Sequence, residues 1–203
     1  MVCVFHRIVL VIAFLPSFVF ADSSGPNSTG TGADDASVGS LTWTNPGNIT
    51  SSDDTYATVT IGAAQITHYL MGTNYSFSLP ADATINGILM EVERKCVGAV
   101  GQTIDSSIRI VKGGTISGDE KSAGASWVLG TDTYASFGGA SDLWGLTWTY
   151  SDINASDFGA VVSATITGIS SAASVDHMRI TVYYTSGGTP SIQSRDWFPE
   201  DDF

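Results

Sequence analysis

The residues of this sequence with the clearest capacity for acid–base chemistry are His68, His177 and the glutamates Glu91 and Glu93. Neither histidine lies in a metal-ligand spacing such as H-E-x-x-H, and no cysteine cluster accompanies them. Asp176 directly precedes His177, but neighbouring residues on a strand point to opposite faces. This predicts structural hydrogen bonds rather than a catalytic dyad. We therefore predict no catalytic residue, no metal site and no cofactor.

Glu91 and Glu93 lie two residues apart, so they share one face of a strand. Paired carboxylates could serve glycoside hydrolysis, which makes a glycoside-active enzyme one functional hypothesis. Arg94 and Lys95 follow directly, and a run of charges is more typical of a solvated strand face.

Tryptophan is the second chemical signal, with five residues in 203. Tryptophan stacks well on sugar faces, so a lectin-like surface is conceivable, although burial in a core is the commoner role. The residues are Trp43, Trp127, Trp144, Trp148 and Trp197.

Four N-x-[ST] sequons predict possible N-glycosylation, at Asn27, Asn48, Asn74 and Asn154. Their number fits a glycosylated surface if the source organism modifies asparagine.

The sequence pattern predicts that these residues are positioned by strands. Period-2 alternation persists from Val38 to Thr185, as in Ile88-Leu89-Met90-Glu91-Val92 and in the stripe from Phe158 to Ile166. Turn residues separate the runs, and the only helical candidate is Ser151 to Ser156. The pattern predicts an all-β fold: a single antiparallel two-sheet sandwich, Ig-like or jelly-roll, of seven to nine strands.

The chain ends differ from this domain. Residues 1–21 have a basic start, an apolar run and small residues at the cleavage positions, which predicts a secretory signal peptide and a secreted or cell-surface protein. Residues 22–37 predict a flexible N-terminal arm, because they carry no large apolar side chain. Residues 38–185 form the predicted sandwich, and residues 186–203 a C-terminal tail in which Trp197 and Phe198 could dock.

Charge and cysteine content narrow the partners. The formal net charge is −12 and only 8 residues are Lys or Arg, so nucleic acid is a poor partner. We also expect no membrane association after signal cleavage. Cys96 is the one cysteine left after cleavage, so it cannot form an internal disulfide and is expected to be a buried thiol.

Three groups of segments resemble an uncharacterised family of β-sandwich modules in environmental bacterial and phage surface or virion proteins. The resemblance covers about residues 40–185, and it implies a fold rather than a chemistry. Some similar secreted proteins are pilus-like fibre subunits, in which an N-terminal strand completes a neighbour's sandwich. The matching segments are Asn74–Pro80 with Ala83–Ile88, Asp142–Gly145 through Asp157–Gly159, and Val175–His177 through Val182–Thr185.

The resemblance implies a donor strand at Ser37 to Thr44, with Val38, Leu41 and Trp43 as assembly residues. An extended donor supplies main-chain hydrogen bonds and alternating side chains to an open groove. Val38 is out of phase with Leu41 and Trp43, so Gly39 would mark a bulge or Val38 would lie outside the groove. The alternative is that this segment is the first strand of its own domain.

The leading functional hypothesis is a secreted, non-enzymatic structural protein that polymerises with itself into a pilus-like extracellular filament by strand donation. The alternative is a carbohydrate- or receptor-binding sandwich module, a surface or virion protein with glycans as partners.

Overall fold

The computed structural model describes residues 18–98 and 100–188. Strand accounts for 57% of these residues and helix for 5%, in two packed antiparallel sheets, which confirms the predicted all-β sandwich, although its ten strands exceed the seven to nine predicted. The ten strands are β1 Phe18–Ser28, β2 Thr31–Asp35, β3 Ala57–Gly62, β4 Tyr69–Thr73, β5 Thr84–Val97, β6 Gly101–Lys112, β7 Thr115–Ser117, β8 Thr133–Gly139, β9 Gly159–Gly168 and β10 Ser170–Gly188. A 3-10 turn spans Pro46–Ile49, and the helix α1 spans Tyr150–Asn154.

Sheet A has the order β1-β10-β5-β8, with β3 also paired to β10. Sheet B has the order β2-β4-β9-β6-β7. Strand β10 is the spine of sheet A, because β5 pairs along one side of it while β3 and then β1 pair along the other.

The core lies between the two sheets and is built from the predicted alternation. On β5 the even-numbered residues from Ile88 to Cys96 are buried, whereas Glu91 and Glu93 lie on the outer face. The inner stripe of β9 is buried likewise, as are the inner residues of β10. These inner residues are Ala160, Val162, Ala164 and Ile166 on β9, with Met178, Ile180 and Val182 on β10.

The inner face also holds an ion pair that the sequence pattern did not predict. The Arg94 guanidinium binds the Asp105 carboxylate through both oxygens, and both residues are buried. The Trp127 indole donates a hydrogen bond of 2.9 Å to the same carboxylate. Arg94 therefore belongs to the core and not to a solvated charged face.

The chain ends differ from the sequence prediction. Residues 22–28 and 31–35 are not a flexible arm, since they form most of β1 and all of β2. These strands are held by backbone pairing to β10 and β4, which needs no apolar side chain. Strand β10 continues to Gly188, so residues 186–188 belong to the sandwich. Residues 1–17 of the predicted signal peptide and residues 189–203 of the predicted tail lie outside the described residues.

Within the described ranges, no helix is long and apolar enough to cross a membrane.

Candidate binding cleft

A cleft of about 470 Å³ opens on the outer face of sheet B. Asp35 at the end of β2 and Tyr69 at the start of β4 are paired neighbours and form one wall. Arg109 comes from β6, and the β6–β7 hairpin closes the opposite side. The remaining lining residues are Ser37, Gly114, Thr115 and Ile116.

Next to the cleft lies a small apolar cluster of outward-facing residues, of which Tyr69 and Ile116 also line the cleft. Tyr69, Val111 and Val161 are buried there although they lie on the outer face of the sheet. Val38, Met71 and Ile116 pack against them. The segment after β2, which carries Val38, and the β6–β7 hairpin, which carries Ile116, therefore cover this cluster.

Beside the cleft, a hydrogen-bonded network orients its polar side chains. The Tyr69 hydroxyl lies 2.8 Å from the Ser107 hydroxyl, which donates to Glu120. Glu120 lies 3.3 Å from Nε of Arg109, and Arg109 also donates to the Gly118 carbonyl at 2.8 Å. Tyr69 and Arg109 are therefore held in place before any ligand arrives.

Glu120 is the charged centre of this network. Burial by itself would raise its pKa, but the backbone N–H of Ile108, the Ser107 hydroxyl and the N–H of Ser122 all hydrogen-bond to the carboxylate. With the nearby Arg109 charge they outweigh burial and lower the pKa of Glu120. Glu120 is consequently a carboxylate at neutral pH and not a proton donor.

The cleft is lined by the Asp35 carboxylate, which accepts from the Ser37 N–H and hydroxyl, by the Arg109 guanidinium and by the Thr115 hydroxyl. Such a mixture of donors and acceptors suits a ligand with many hydroxyl groups. Arg109 alternates with Ile108 and Ile110 in the sequence, which fits its place on the outer face, but sequence reasoning did not identify the site. Its residues lie far apart in the sequence, and only strand register brings them together.

The predicted donor segment is paired within its own chain. The Leu41 carbonyl accepts from the His68 N–H at 2.7 Å, and Thr44 and Thr58 exchange backbone hydrogen bonds of 2.9 and 3.0 Å. Trp43 is buried in the main core, and its indole donates to the His68 carbonyl at 2.9 Å. The expected phase change occurs at Gly39, where φ is +66°, and Val38 packs on the outer face of sheet B instead.

The tryptophans do not form a binding surface in the described part of the chain. Trp43, Trp127 and Trp144 are buried, and Trp148 packs partly buried against the core. Trp197 lies outside the described residues. A sugar site built on loop tryptophans therefore has no support here.

His68 and His177, the two histidines among the described residues, both contact oxygen atoms. Nδ1 of His68 lies 2.8 Å from the Asp34 carboxylate. Nδ1 of His177 lies 2.8 Å from the Tyr134 hydroxyl, and its Nε2 lies 2.8 Å from the Ser28 hydroxyl. Among the described residues, no group of three or more His, Cys, Asp or Glu could hold a metal ion.

The contact between Ser28 and His177 resembles that of a nucleophile with its base. The other ring nitrogen faces the phenol of Tyr134 rather than a carboxylate, and the sheet B cleft does not include these three side chains. We assign the contact a structural role, because it ties the end of β1 to the centre of β10.

The outer face of sheet A also holds Glu91 and Glu93, as predicted. Glu91 accepts two hydrogen bonds from Arg179, at 2.8 and 3.2 Å. One carboxylate oxygen of Glu93 is buried without a hydrogen-bond partner. Because Arg179 holds Glu91, the two glutamates do not form a free acid–base pair.

Three of the four sequon asparagines use their side-chain amides within the fold. Asn27 donates to the Tyr75 carbonyl and Asn48 to the Tyr56 carbonyl, both at 3.0 Å. Asn154 both donates to and accepts from the Leu79 backbone, at 3.0 and 2.8 Å. Asn74 is exposed. A glycan is therefore most easily accommodated at Asn74.

No family model, curated protein or solved structure matches the chain.

Proposed function

We propose that this protein is a secreted, non-enzymatic β-sandwich module that binds a neutral carbohydrate in the cleft on sheet B. The observation that carries the proposal is the cleft of about 470 Å³ in which Tyr69 and Arg109 are already oriented by Ser107 and Glu120. Its volume falls within the roughly 300–1,000 Å³ of small-ligand sites.

The charge of the molecule supports a neutral ligand. A net charge of −12 repels polyanions such as nucleic acids and sulfated glycans. Asp35 accepts hydrogen bonds and Arg109 donates them, and sugar hydroxyls can serve both.

The alternative, a pilus-like filament assembled by donation of Ser37 to Thr44, stays a prediction. Donation would first require the segment to leave its partners at Thr58, Ile66 and His68 in its own chain. For this reason we place the binding module ahead of strand donation.

The test is binding of a panel of neutral and uronate-bearing oligosaccharides to the secreted chain, followed by calorimetric titration of any that bind. We expect a neutral oligosaccharide to bind. We expect Asp35→Asn and Arg109→Met each to weaken that binding by about tenfold or more, because each removes a charge-assisted hydrogen bond.

Asp82→Asn is the matched control, because it makes the same change at an exposed position away from the cleft. We expect it to leave affinity unchanged. If no oligosaccharide binds, or if binding survives both cleft substitutions, the proposal is wrong.

A further inference from the structure

One end of the sandwich is unusually apolar. The described residues expose seven large hydrophobic side chains, and five of them lie at this end. We call this group the apolar tip: Val97, Val100, Val128, Leu129 and Ile169.

The backbone joins these five residues into one surface. The N–H of Ile169 donates to the Val100 carbonyl at 3.1 Å, which links the β9–β10 turn to the β5–β6 turn. The N–H of Cys96 donates to the Val128 carbonyl at 2.9 Å, which brings the segment before β8 beside them. Leu129 and Ile169 are 62% and 69% exposed, so water contacts most of their apolar surface.

A groove of about 260 Å³ opens in the apolar tip. Cys96, Gly98, Gly101, Gln102 and Leu129 line it. The volume is below the roughly 300–1,000 Å³ typical of small-molecule sites, and it suits one or two side chains of a peptide instead. No lysine, arginine, aspartate or glutamate lines the groove, so it suits an uncharged occupant.

The sequence after Gly188 contains large uncharged side chains of the kind that this groove suits. Trp197 and Phe198 are adjacent large aromatic residues in a C-terminal segment, residues 189–203, that is otherwise mostly polar. This segment follows Gly188, at the end of β10. The apolar tip lies at the beginning of β10, where Ser170 follows Ile169.

The length of β10 separates Gly188 from the apolar tip. Its 19 residues extend over roughly 60 Å at about 3.3 Å per residue. Trp197 is nine residues beyond Gly188, and nine residues span at most about 32 Å when fully extended. Trp197 therefore cannot reach the apolar tip of its own molecule, but it can reach the tip of another.

We propose that the apolar tip binds the C-terminal segment of a second copy through Trp197 and Phe198, so that copies join head to tail. The contact is heterologous, since tip and segment are different surfaces, and it continues from copy to copy instead of closing as a symmetric dimer. The sheet B cleft takes no part in it.

Sedimentation velocity of the secreted chain over a range of concentrations tests the proposal. The tip variant is Leu129→Ser with Ile169→Ser, and the segment variant is Trp197→Ser with Phe198→Ser. We expect wild type to sediment faster as concentration rises and each variant to lose that dependence. Tyr150→Ser, which removes an exposed aromatic group outside the tip, is the control and should associate like wild type.

Mixing the two variants is the decisive measurement. The segment variant keeps an intact tip and the tip variant keeps an intact segment, so a mixture can form one contact and should yield a 1:1 complex that does not extend. The proposal is overturned if wild type stays monomeric, if either variant still associates, or if the mixture remains monomeric.

Discussion

At the scale of single residues, His177 shows how a titratable group becomes structural. It is buried on β10, and both ring nitrogens lie 2.8 Å from a hydroxyl, on Ser28 and on Tyr134. Burial is the largest influence and lowers the pKa of His177 below its ordinary 6.5, although Glu93 acts in the opposite direction.

The stability of the protein should therefore fall below about pH 6.5. The unfolded chain takes up a proton on His177 at a higher pH than the folded chain, because the folded-state pKa is lowered. Neutral His177 favours the fold above pH 6.5, and this contribution is lost as pH falls towards the folded-state pKa.

Urea unfolding between about pH 5 and 7 measures this effect. We expect the loss of stability across that range to be smaller in His177→Gln than in wild type. An identical pH dependence in both would show that His177 does not cause it.

Hydrolysis of an ester such as p-nitrophenyl acetate that is abolished by Ser28→Ala would instead indicate an active site.

Alternation gives the face on which a side chain lies but not its partner. Alternation correctly placed Glu91 and Glu93 on an outer face, but it could not show that Arg179 holds Glu91. Tyr69, Ser107 and Glu120 meet only through the register of β4, β9 and β6. Contacts between residues so far apart in sequence depend on register, which the local pattern does not contain.

Among the elements, the segment from Ser37 to Thr44 pairs within its own chain, which is the alternative that the sequence left open. It makes backbone bridges at Leu41 and at Thr44, and its Trp43 side chain enters the main core. The alternation of Leu41 and Trp43 correctly indicated a buried face. It did not indicate whether that face would pack in the core of its own molecule or of a neighbouring copy, because the same alternation serves a self-paired strand and a donated one.

Replacing Trp43 distinguishes a self-paired strand from a donated one. We expect Trp43→Ala to lower the free energy of unfolding of the monomer by about 3–5 kcal/mol, as for other buried tryptophans. Urea unfolding measures the change, and Tyr150→Ala, at an exposed aromatic residue, should cost far less. Strand donation would be favoured if Trp43→Ala left the monomer unchanged and removed a polymer.

Other elements were missed or altered for physical reasons. Strands β1 and β2 have no apolar alternation, and β2 is polar and mostly half-buried at the edge of sheet B. Tyr75, Phe77 and Leu79 alternate into the core as predicted but form no strand. Asn74 and Ser76 have φ of 59° and 54°, which interrupts a β conformation. The predicted short helix is present as α1.

At the scale of the whole molecule, export is the prediction that the described residues leave open. The predicted cleavage after Ala21 falls inside β1. Asp22 to Ser28 would remain, and Asp22 accepts a hydrogen bond of 3.1 Å from Tyr184 across the strand pair. The new N-terminus would therefore still be anchored to β10.

N-terminal sequencing of the secreted protein tests this directly. We expect the mature chain to begin at Asp22, because Val19 and Ala21 occupy the small-residue cleavage positions. Ala21→Phe should leave the precursor uncleaved, since a large residue blocks that position. A secreted wild-type chain that still begins at Met1 would contradict the assignment.

The position of β10 has a consequence for how the protein is made. Sheet A joins both β1 and β3 to β10, so the β3 pairing must wait for residues 170–175 and the β1 pairing for residues 179–188. Contacts this distant in sequence are typical of folding in milliseconds to seconds rather than microseconds. If residues 1–21 act as the predicted signal peptide, they are made long before β10, so export would begin on a chain whose sandwich has not yet closed.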